Sequence, residues 1–298
     1  MIGIAVVGLG GIGLLHARNL ARRVAGARLV RVADSTRPLA ERVAAELQVP
    51  WSAAYHEVLA DPRVDAVVIA TPTPLHAEMV VGAATAGRHA FCEKPLSLNV
   101  EDGRRATHVA REAGLCLQVG FQRRFDEDFL AAKREIDAGE LGTVRLLRIS
   151  HRNRVPPHTT RLTERLGSMF VDMTIHDFDS ARWLVGEVAE LNAFCAGDTA
   201  MTLLRFECGA LGAIDNTRSA RYGFECSAEL MGSESTLRIG CGAGSPVFLD
   251  HIERHRAAYL RELSHFVSCV HSGAEPCVGG EDAVAALQLS LAAERCAA

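Results

Sequence analysis

A glycine-rich loop near the start of the chain constrains its fold more than any other feature. The apolar run Ile2–Val7 leads into the loop, and beyond it apolar residues recur at helical spacing as far as Val24. The pattern G-x-G-x-x-G between a strand and a helix predicts a dinucleotide-binding βαβ unit of Rossmann type. Its glycines permit a tight turn, close approach of a pyrophosphate and close packing of helix on strand. The residues assigned to this cradle are Gly8, Gly10, Gly11, Ile12 and Gly13.

An acidic residue follows the second apolar run. Asp34 comes directly after Leu29–Ala33, about 20 residues beyond Gly13, where an acid hydrogen-bonds the adenosine ribose and disfavours a 2′-phosphate. This position favours NAD as the cofactor, although Arg37 close by leaves NADP possible. Aspartate is also a favoured helix N-cap, so a capping role for Asp34 is the alternative.

The rest of the first 120 residues alternates between apolar runs and helical patterns. The runs Ala66–Ala70, His89–Cys92 and Cys116–Val119 are separated by the helical segments His76–Ala86 and Val100–Ala113. Strands this apolar are covered on both faces, and strand–helix alternation predicts a parallel, doubly wound sheet. We therefore expect an α/β Rossmann domain over residues 1–121.

After about residue 120 the pattern changes to short strands separated by turns. The expected strands are Val144–Ser150, Ala200–Phe206, Leu211–Asn216, Glu225–Met231 and Thr236–Ile239. Helices are expected over 127–138, 172–184, 257–270 and 281–296. Because most of these strands have no helix between them, residues 122–298 are predicted to form an α+β domain with a mostly antiparallel, open sheet. Whether the C-terminal helix packs back on the first domain is left open.

Composition argues against several classes of protein. A net charge of −4 without runs of like charge does not suit nucleic-acid or anionic-membrane binding. The nine cysteines are odd in number and include no Cys-x-x-Cys pair, which indicates reduced thiols and no metal site. No basic leader with a cleavable apolar segment is found, and no apolar stretch approaches the ~18 residues of a membrane span. We expect a soluble, cytoplasmic protein.

Four further motifs carry a resemblance to a known family. They are Thr71-Pro72-Thr73-Pro74-Leu75-His76, Cys92-Glu93-Lys94-Pro95, Gly120-Phe121-Gln122-Arg123-Arg124-Phe125 and Asp172-Met173-Thr174-Ile175-His176-Asp177-Phe178-Asp179. With the glycine loop they occur in the order found in the Gfo/Idh/MocA oxidoreductases, which the chain resembles over nearly its whole length. The last motif most resembles the inositol 2-dehydrogenase branch.

The resemblance implies that Lys94, Asp172 and His176 form the catalytic group, and the chemistry is consistent. Oxidation of a secondary alcohol requires a base for the hydroxyl proton, and a neutral imidazole with a pKa near ~6.5 suits that role. Asp172 lies four residues before His176, on the same predicted helix face. Lys94 follows a sheet strand and can stabilise a developing alkoxide. Taken singly, these residues could instead be a helix cap, a packed histidine and a surface lysine.

The resemblance also assigns supporting residues to the site. The additional cofactor contacts are Thr71, Pro72, His76, Glu93, Lys94 and Gln122. The expected substrate contacts are Lys94, His151, Asn153, Asp172 and His176. His151, Asn153 and His158 fall in a predicted loop that could close over the substrate. The run His151-Arg152-Asn153 lacks the acid of an Arg-Asp pair expected in inositol-specific relatives, and the chain is short around 191–200, 240–255 and its C-terminus.

The leading hypothesis is an NAD-dependent dehydrogenase that acts on a cyclic polyol or sugar. One alternative is an enzyme that uses transient oxidation without net redox change, as in glycoside cleavage. Another is a cofactor-binding regulatory protein without catalysis. The resemblance further implies a homo-oligomer, a dimer or tetramer, assembled through the C-terminal sheet.

Overall fold

The computed structural model describes residues 1–154, 168–240 and 250–298. These residues form two compact units. The first unit comprises Met1–Phe121 and Tyr259–Val284, and the second comprises Gln122–Ala258 and Ala285–Ala298. In the parts of the chain that are described, no helix is both long and apolar enough to cross a membrane.

The first unit is built on a six-stranded parallel sheet. Its strands are β1 (Ile2–Val7), β2 (Ala27–Ala33), β3 (Trp51–Ser52), β4 (Ala66–Ile69), β5 (His89–Glu93) and β6 (Leu117–Gly120). Their spatial order is β3-β2-β1-β4-β5-β6, the order of a doubly wound dinucleotide-binding sheet. The helices between them are α1 (Gly11–Arg22), α2 (Arg37–Leu47), α3 (Tyr55–Ala60), α4 (His76–Thr85) and α5 (Val100–Glu112). The predicted Rossmann architecture is confirmed.

The core of the first unit includes a helix from late in the chain. Leu263, Phe266 and Val267 are buried among apolar residues of β1, β2 and α1. The Phe266 ring meets the Phe91 ring of β5 edge-on, with 5.9 Å between centroids. This packing covers the sheet and explains why its strands are apolar throughout.

The second unit contains a mixed six-stranded sheet. Its strands are β7 (Leu146–Arg152), β8 (Val188–Ala196), β9 (Thr199–Phe206), β10 (Leu211–Thr217), β11 (Glu225–Met231) and β12 (Thr236–Ile239), in the order β12-β11-β7-β10-β9-β8. The pair β7–β10 is parallel, and the other neighbours are antiparallel. Along β9, buried and exposed residues alternate, as expected of a sheet with one covered face.

The helices of the second unit are α6 (Glu127–Asp137), α7 (Ile175–Val185) and the short α8 (His251–Arg254). The last two helices are α9 (Arg256–Ser272), most of which belongs to the first unit, and α10 (Gly280–Ala297), whose residues are divided between the two units. A single π-helical turn, Phe170–Thr174, leads into α7. The predicted α+β character of this half is confirmed, with a mostly antiparallel sheet.

Some elements were not predicted. The strands β3 and β8 and the helices α3 and α8 have no counterpart among the sequence predictions. β8 is an edge strand whose residues are largely exposed, so it lacks the apolar pattern by which the other strands were found. The helix predicted to begin at Asp172 begins later in the structure. Asp172 lies in the π-helical turn, and α7 begins at Ile175.

Candidate active site

The glycine loop joins β1 to α1, and two of its glycines are required by the protein's own backbone. Gly8 has φ +88°, and a Cβ there would lie 2.4 Å from the Ala70 carbonyl oxygen. A Cβ on Gly13 would lie 1.8 Å from the Gly8 carbonyl oxygen. Gly10 and Gly11 are exposed, and ideal Cβ atoms at these positions would meet no protein atom within 4 Å. The loop therefore has tight inner positions and an open outer edge at the N-terminus of α1, where backbone N–H groups favour an anion.

Asp34 connects the second strand to the glycine loop. Its Oδ2 accepts a hydrogen bond from the Leu9 N–H at 2.8 Å, and its Oδ1 accepts one from the Thr36 N–H at 2.7 Å. The N-cap residue of α2 is Thr36, so Asp34 does not occupy the capping position of that helix. The half-buried carboxylate lies beside the loop at the carboxyl ends of β1 and β2. This is the position from which an acid can reach an adenosine ribose.

Lys94 follows β5 directly, and its backbone is held by its neighbour Glu93. The Lys94 N–H donates to Glu93 Oε2 at 3.3 Å, while Glu93 Oε1 lies 2.7 Å from His16 Nε2 of α1. Gly120 of the adjacent strand β6 leaves room for this carboxylate, because a Cβ there would lie 3.0 Å from Glu93 Oε2. The Glu-Lys-Pro motif is thus anchored to the helix that begins at the glycine loop.

His76 connects two of the predicted cofactor loops. Its Nδ1 lies 2.8 Å from the Pro95 carbonyl oxygen, and its Nε2 lies 2.8 Å from the Thr71 carbonyl oxygen. The ring is buried, and burial lowers the pKa of His76. Both ring nitrogens face backbone, so this histidine fixes the loop of Thr71 and Pro72 next to the Glu-Lys-Pro segment. Pro72 is exposed and Thr71 is half-buried.

Asp172 and His176 lie in consecutive turns of the second unit. Asp172 is in the π-helical turn, where Arg218 Nη2 donates to its Oδ2 at 2.8 Å. His176 is in the first turn of α7 and is 8% exposed. His151 lies in strand β7 and not in the predicted loop, and its ring meets the His176 ring edge-on with 6.3 Å between centroids. The structure thus brings together two of the histidines that the sequence assigned to the site.

A buried charged network surrounds His151. Arg123 Nη2 donates to His151 Nδ1 at 2.9 Å, and the same ring nitrogen lies 3.3 Å from Asp177 Oδ2. Arg123 also pairs with Asp177, and Asn216 Nδ2 donates to Asp177 Oδ2 at 2.7 Å. Burial alone would raise the pKa of Asp177, but Arg123 and His151 outweigh it and hold this pKa below its ordinary value.

Sequence reasoning did not single out Arg123, Asp177 or Asn216. A signal was present in two motifs, since Arg123 and Arg124 are adjacent in one and Asp177 and Asp179 are two positions apart in the other. The second arginine and the second aspartate of these motifs also form an ion pair, since Arg124 Nη2 lies 2.6 Å from Asp179 Oδ1. Charged residues in apolar segments indicate buried ion pairs because an unpaired buried charge is costly.

The remaining predicted residues lie in the second unit. Gln122 is buried in a 3-10 turn, Gln122–Phe125. Asn153 directly follows β7, and its N–H donates to the Thr217 carbonyl oxygen at 2.8 Å. His158 lies outside the described residues, as do residues 241–249 of the predicted shortened segment.

The chain matches two family models. The model described as "Oxidoreductase family, NAD-binding Rossmann fold" covers residues 2–121. The model described as "GFO/IDH/MocA C-terminal domain" covers residues 129–238. Together they account for most of the chain and agree with the two sheets.

Similar proteins include scyllo-inositol 2-dehydrogenase (NAD(+)) of Bacillus subtilis, 38% identical over 97% of this chain and 92% of that protein. Myo-inositol 2-dehydrogenase of Thermotoga maritima is also 38% identical, over 98% of this chain and 95% of that protein. A solved probable dehydrogenase from Thermotoga maritima superposes with a TM-score of 0.94 at 37% identity, covering 99% and 97% of the two chains. Scyllo-inositol dehydrogenase from Lactobacillus casei, solved with NAD(H) and scyllo-inositol, gives 0.93 at 25% identity, covering 100% and 97%. The chain belongs to the Gfo/Idh/MocA oxidoreductase family.

Proposed function

We propose that the protein is an NAD-dependent dehydrogenase that oxidises a secondary hydroxyl of a cyclic polyol of the inositol class. The observation that carries this proposal is near full-length similarity to inositol 2-dehydrogenases in a chain that has Lys94, Asp172 and His176 at the matching motifs. We assign cofactor binding to residues 1–121 and substrate binding to the chain from residue 122 onward.

The residues of the glycine loop suit a dinucleotide. The open edge at Gly10 and Gly11 leaves space for a pyrophosphate beside the N-terminus of α1. Asp34 would accept a hydrogen bond from the adenosine ribose and would repel a 2′-phosphate, which favours NAD over NADP. When bound, the nicotinamide supplies the hydride acceptor.

Proton transfer is assigned to residues of the chain itself. His176, as a neutral imidazole, takes the proton of the substrate hydroxyl. Asp172, which accepts a hydrogen bond from Arg218, holds the His176 imidazole or the Lys94 ammonium in position. The Lys94 ammonium stabilises the negative charge that develops on the substrate oxygen. The proposal also includes Asn153 and His151 among the substrate contacts. The His151 ring contacts the His176 ring.

We further propose that the protein is a homo-oligomer assembled through the sheet of the second unit. Phe194, Met201 and Leu203 are 65%, 54% and 53% exposed on neighbouring strands, and Phe194 is directly opposite Met201. Leu211 of β10 extends this apolar face. Exposed apolar surface of this kind marks interaction sites. Phe194→Glu should shift the mass of the native protein in solution toward the monomer, whereas Cys208→Ser, at another exposed position, should not.

A cytoplasmic location is part of the proposal. All cysteines of the described segments are free thiols, including the exposed Cys195, Cys208, Cys277 and Cys296. Free exposed thiols are typical of a reducing compartment.

A panel of inositols, aldoses and sugar acids, each assayed with NAD and NADP, tests the proposed reaction. A dehydrogenase produces NADH in step with substrate consumed. Product without accumulated NADH would favour transient oxidation instead, and NAD binding without any turnover would favour a regulatory protein.

A further inference from the structure

A buried acid in the first unit has no role in the site described so far. Glu262 lies on α9 and is 0% exposed, and among the described residues neither of its carboxyl oxygens has a hydrogen-bond partner. An oxygen of this carboxyl group lies within 4.8 Å of both a Glu93 carboxyl oxygen and a His16 ring nitrogen. A buried carboxyl group without partners is costly in its ionised form. Its location beside the Glu-Lys-Pro motif therefore calls for a physical reason.

Glu93 is the better held of the two acids. Its Oε1 faces His16 Nε2 at 2.7 Å, and its Oε2 accepts the Lys94 N–H at 3.3 Å. Gly120 leaves the space that this carboxylate fills. Both carboxyl oxygens of Glu93 therefore have hydrogen-bonding partners, whereas those of Glu262 have none among the described residues.

We propose that Glu262 is a neutral carboxylic acid that, with His16, fixes the carboxylate of Glu93 and so positions the backbone of Lys94. This inference rests on the proposed function, in which Lys94 contacts the reacting oxygen. Glu262 and His16 touch neither substrate nor reacting atoms, so they are positioning residues. The carboxyl groups of Glu262 and Glu93 lie within 4.8 Å of each other, and the proposal requires the Glu262 O–H to be directed at the Glu93 carboxylate.

The surroundings of Glu262 favour its neutral form. His16 faces it from α1, Glu93 from β5, and the uncharged Gln118 from β6, where Gln118 Nε2 donates to the Glu262 carbonyl oxygen at 2.9 Å. On its own helix, the Tyr259 ring meets the His16 ring with 6.0 Å between centroids. Burial, and secondarily the charge on Glu93, raise the pKa of Glu262 well above its ordinary value.

A divalent cation is the competing explanation for two carboxylates and an imidazole at this spacing. Ligand bonds of about 2.0 Å in a tetrahedral site would separate ligand atoms by roughly 3.3 Å. His16 Nε2 and Glu93 Oε1 are 2.7 Å apart, which is a hydrogen-bond distance. The geometry therefore favours a shared proton over a metal ion.

The first experiment compares Glu262→Gln with Glu262→Leu in the full-length enzyme. Glutamine keeps a donor toward Glu93, so kcat should stay within about twofold of wild type, whereas leucine should lower kcat by roughly tenfold to a hundredfold through misplacement of Lys94. The Kd of NAD should change by less than about twofold in both. Glu275→Gln, at an exposed position in the same unit, is the control. Wild-type kcat in the leucine variant would overturn the proposal.

The second experiment does not depend on turnover. Above the ordinary glutamate pKa of 4.5, the unfolded chain loses the Glu262 proton while the folded protein keeps it, so stability falls as pH rises toward the raised pKa. Urea unfolding between about pH 5 and 7 measures this effect. The unfolding equilibrium constant of the wild type, divided by that of Glu262→Gln, should rise about tenfold for each pH unit. Glu275→Gln should follow wild type.

If the unfolding constants of wild type and Glu262→Gln changed equally with pH, the proposal that Glu262 is a neutral acid would be contradicted. A stoichiometric divalent metal, found in the wild-type protein by elemental analysis, would contradict it as well. Failure of the proposed function is distinguishable, because it would appear as absent NADH production by the wild type with the pH slope intact.

Discussion

In the first unit the glycine loop and Asp34 are held by backbone atoms, whereas in the second unit His151 and Asp172 are held by charged side chains from distant parts of the chain. Gly8 and Gly13 fit against carbonyl oxygens, and Asp34 accepts two backbone N–H groups. By contrast, His151 is held by Arg123 from a 3-10 turn, which also pairs with Asp177 of α7. Backbone geometry demands particular residue types at fixed spacing, while a charged network can be assembled from many places. The first kind of arrangement can therefore be predicted in detail from the sequence, whereas for the second kind the sequence does not show which side chains meet.

The strongest test of this comparison removes the proposed catalytic lysine of the first unit. Lys94→Ala should lower kcat by about a thousandfold because it removes the ammonium that is proposed to stabilise the developing alkoxide. NAD affinity should stay within a few-fold, since the glycine loop and Asp34 are intact. Steady-state kinetics and NAD titration measure both effects. Lys133→Ala, a half-buried lysine paired with Asp137, is the matched control, and near-normal turnover of Lys94→Ala would refute the assignment.

Disrupting the charged network around His151 in the second unit should lower the free energy of unfolding substantially. Asp177→Asn leaves Arg123 buried without its anion and should lower the free energy of unfolding by about 3–5 kcal/mol. The lowered pKa of Asp177 means that this stabilisation is present at neutral pH and is lost as pH falls through that pKa, so the difference between variant and wild type should shrink in acid. Urea unfolding at several pH values measures this. Asp198→Asn, at a half-buried position with no charged partner among the described ion pairs, is the control.

Within the glycine loop, two substitutions of equal size should differ in effect. Gly13→Ala places a Cβ against the Gly8 carbonyl oxygen and should destabilise the protein by about 1–3 kcal/mol while weakening NAD binding. Gly11→Ala meets no protein atom and should leave thermal stability unchanged or slightly higher. Thermal unfolding with and without NAD separates the two. An equal loss of stability in both variants would show that Gly11 has no space for a Cβ atom, contrary to the structure.

The smallest expected effect is on cofactor choice. Asp34→Ala should weaken NAD binding by about tenfold, the loss of one charge-assisted hydrogen bond, and should reduce discrimination against NADP. Isothermal titration with each cofactor gives both values. Asp65→Ala, which removes a carboxylate that accepts the Gly3 N–H at the opposite end of β1, is the control for general loosening of the sheet. Unchanged preference in Asp34→Ala would leave this residue with a purely structural role.

Most of the first unit could be predicted from the sequence because its signals are local. Apolar runs fixed the positions of β1, β4 and β5 to within a residue or so, and the glycine spacing predicted where α1 begins. The edge strand β8 was missed because its exposed residues do not alternate clearly with buried ones. The start of α7 was misplaced because a π-helical turn and an α-helix have nearly the same side-chain periodicity.

By itself, the sequence determined the nucleotide-binding architecture, the glycine loop and the motifs around Lys94 and His176, since each depends on residue types at short, fixed separations. Only the tertiary structure decided which charges meet. The sequence does not show that Arg123 contacts His151 and Asp177, or that Glu262 lies against Glu93 and His16, 169 and 246 positions away along the chain (262 − 93 and 262 − 16). Such contacts depend on how strands and helices pack, and packing brings together residues whose separation along the chain carries no signal of their proximity.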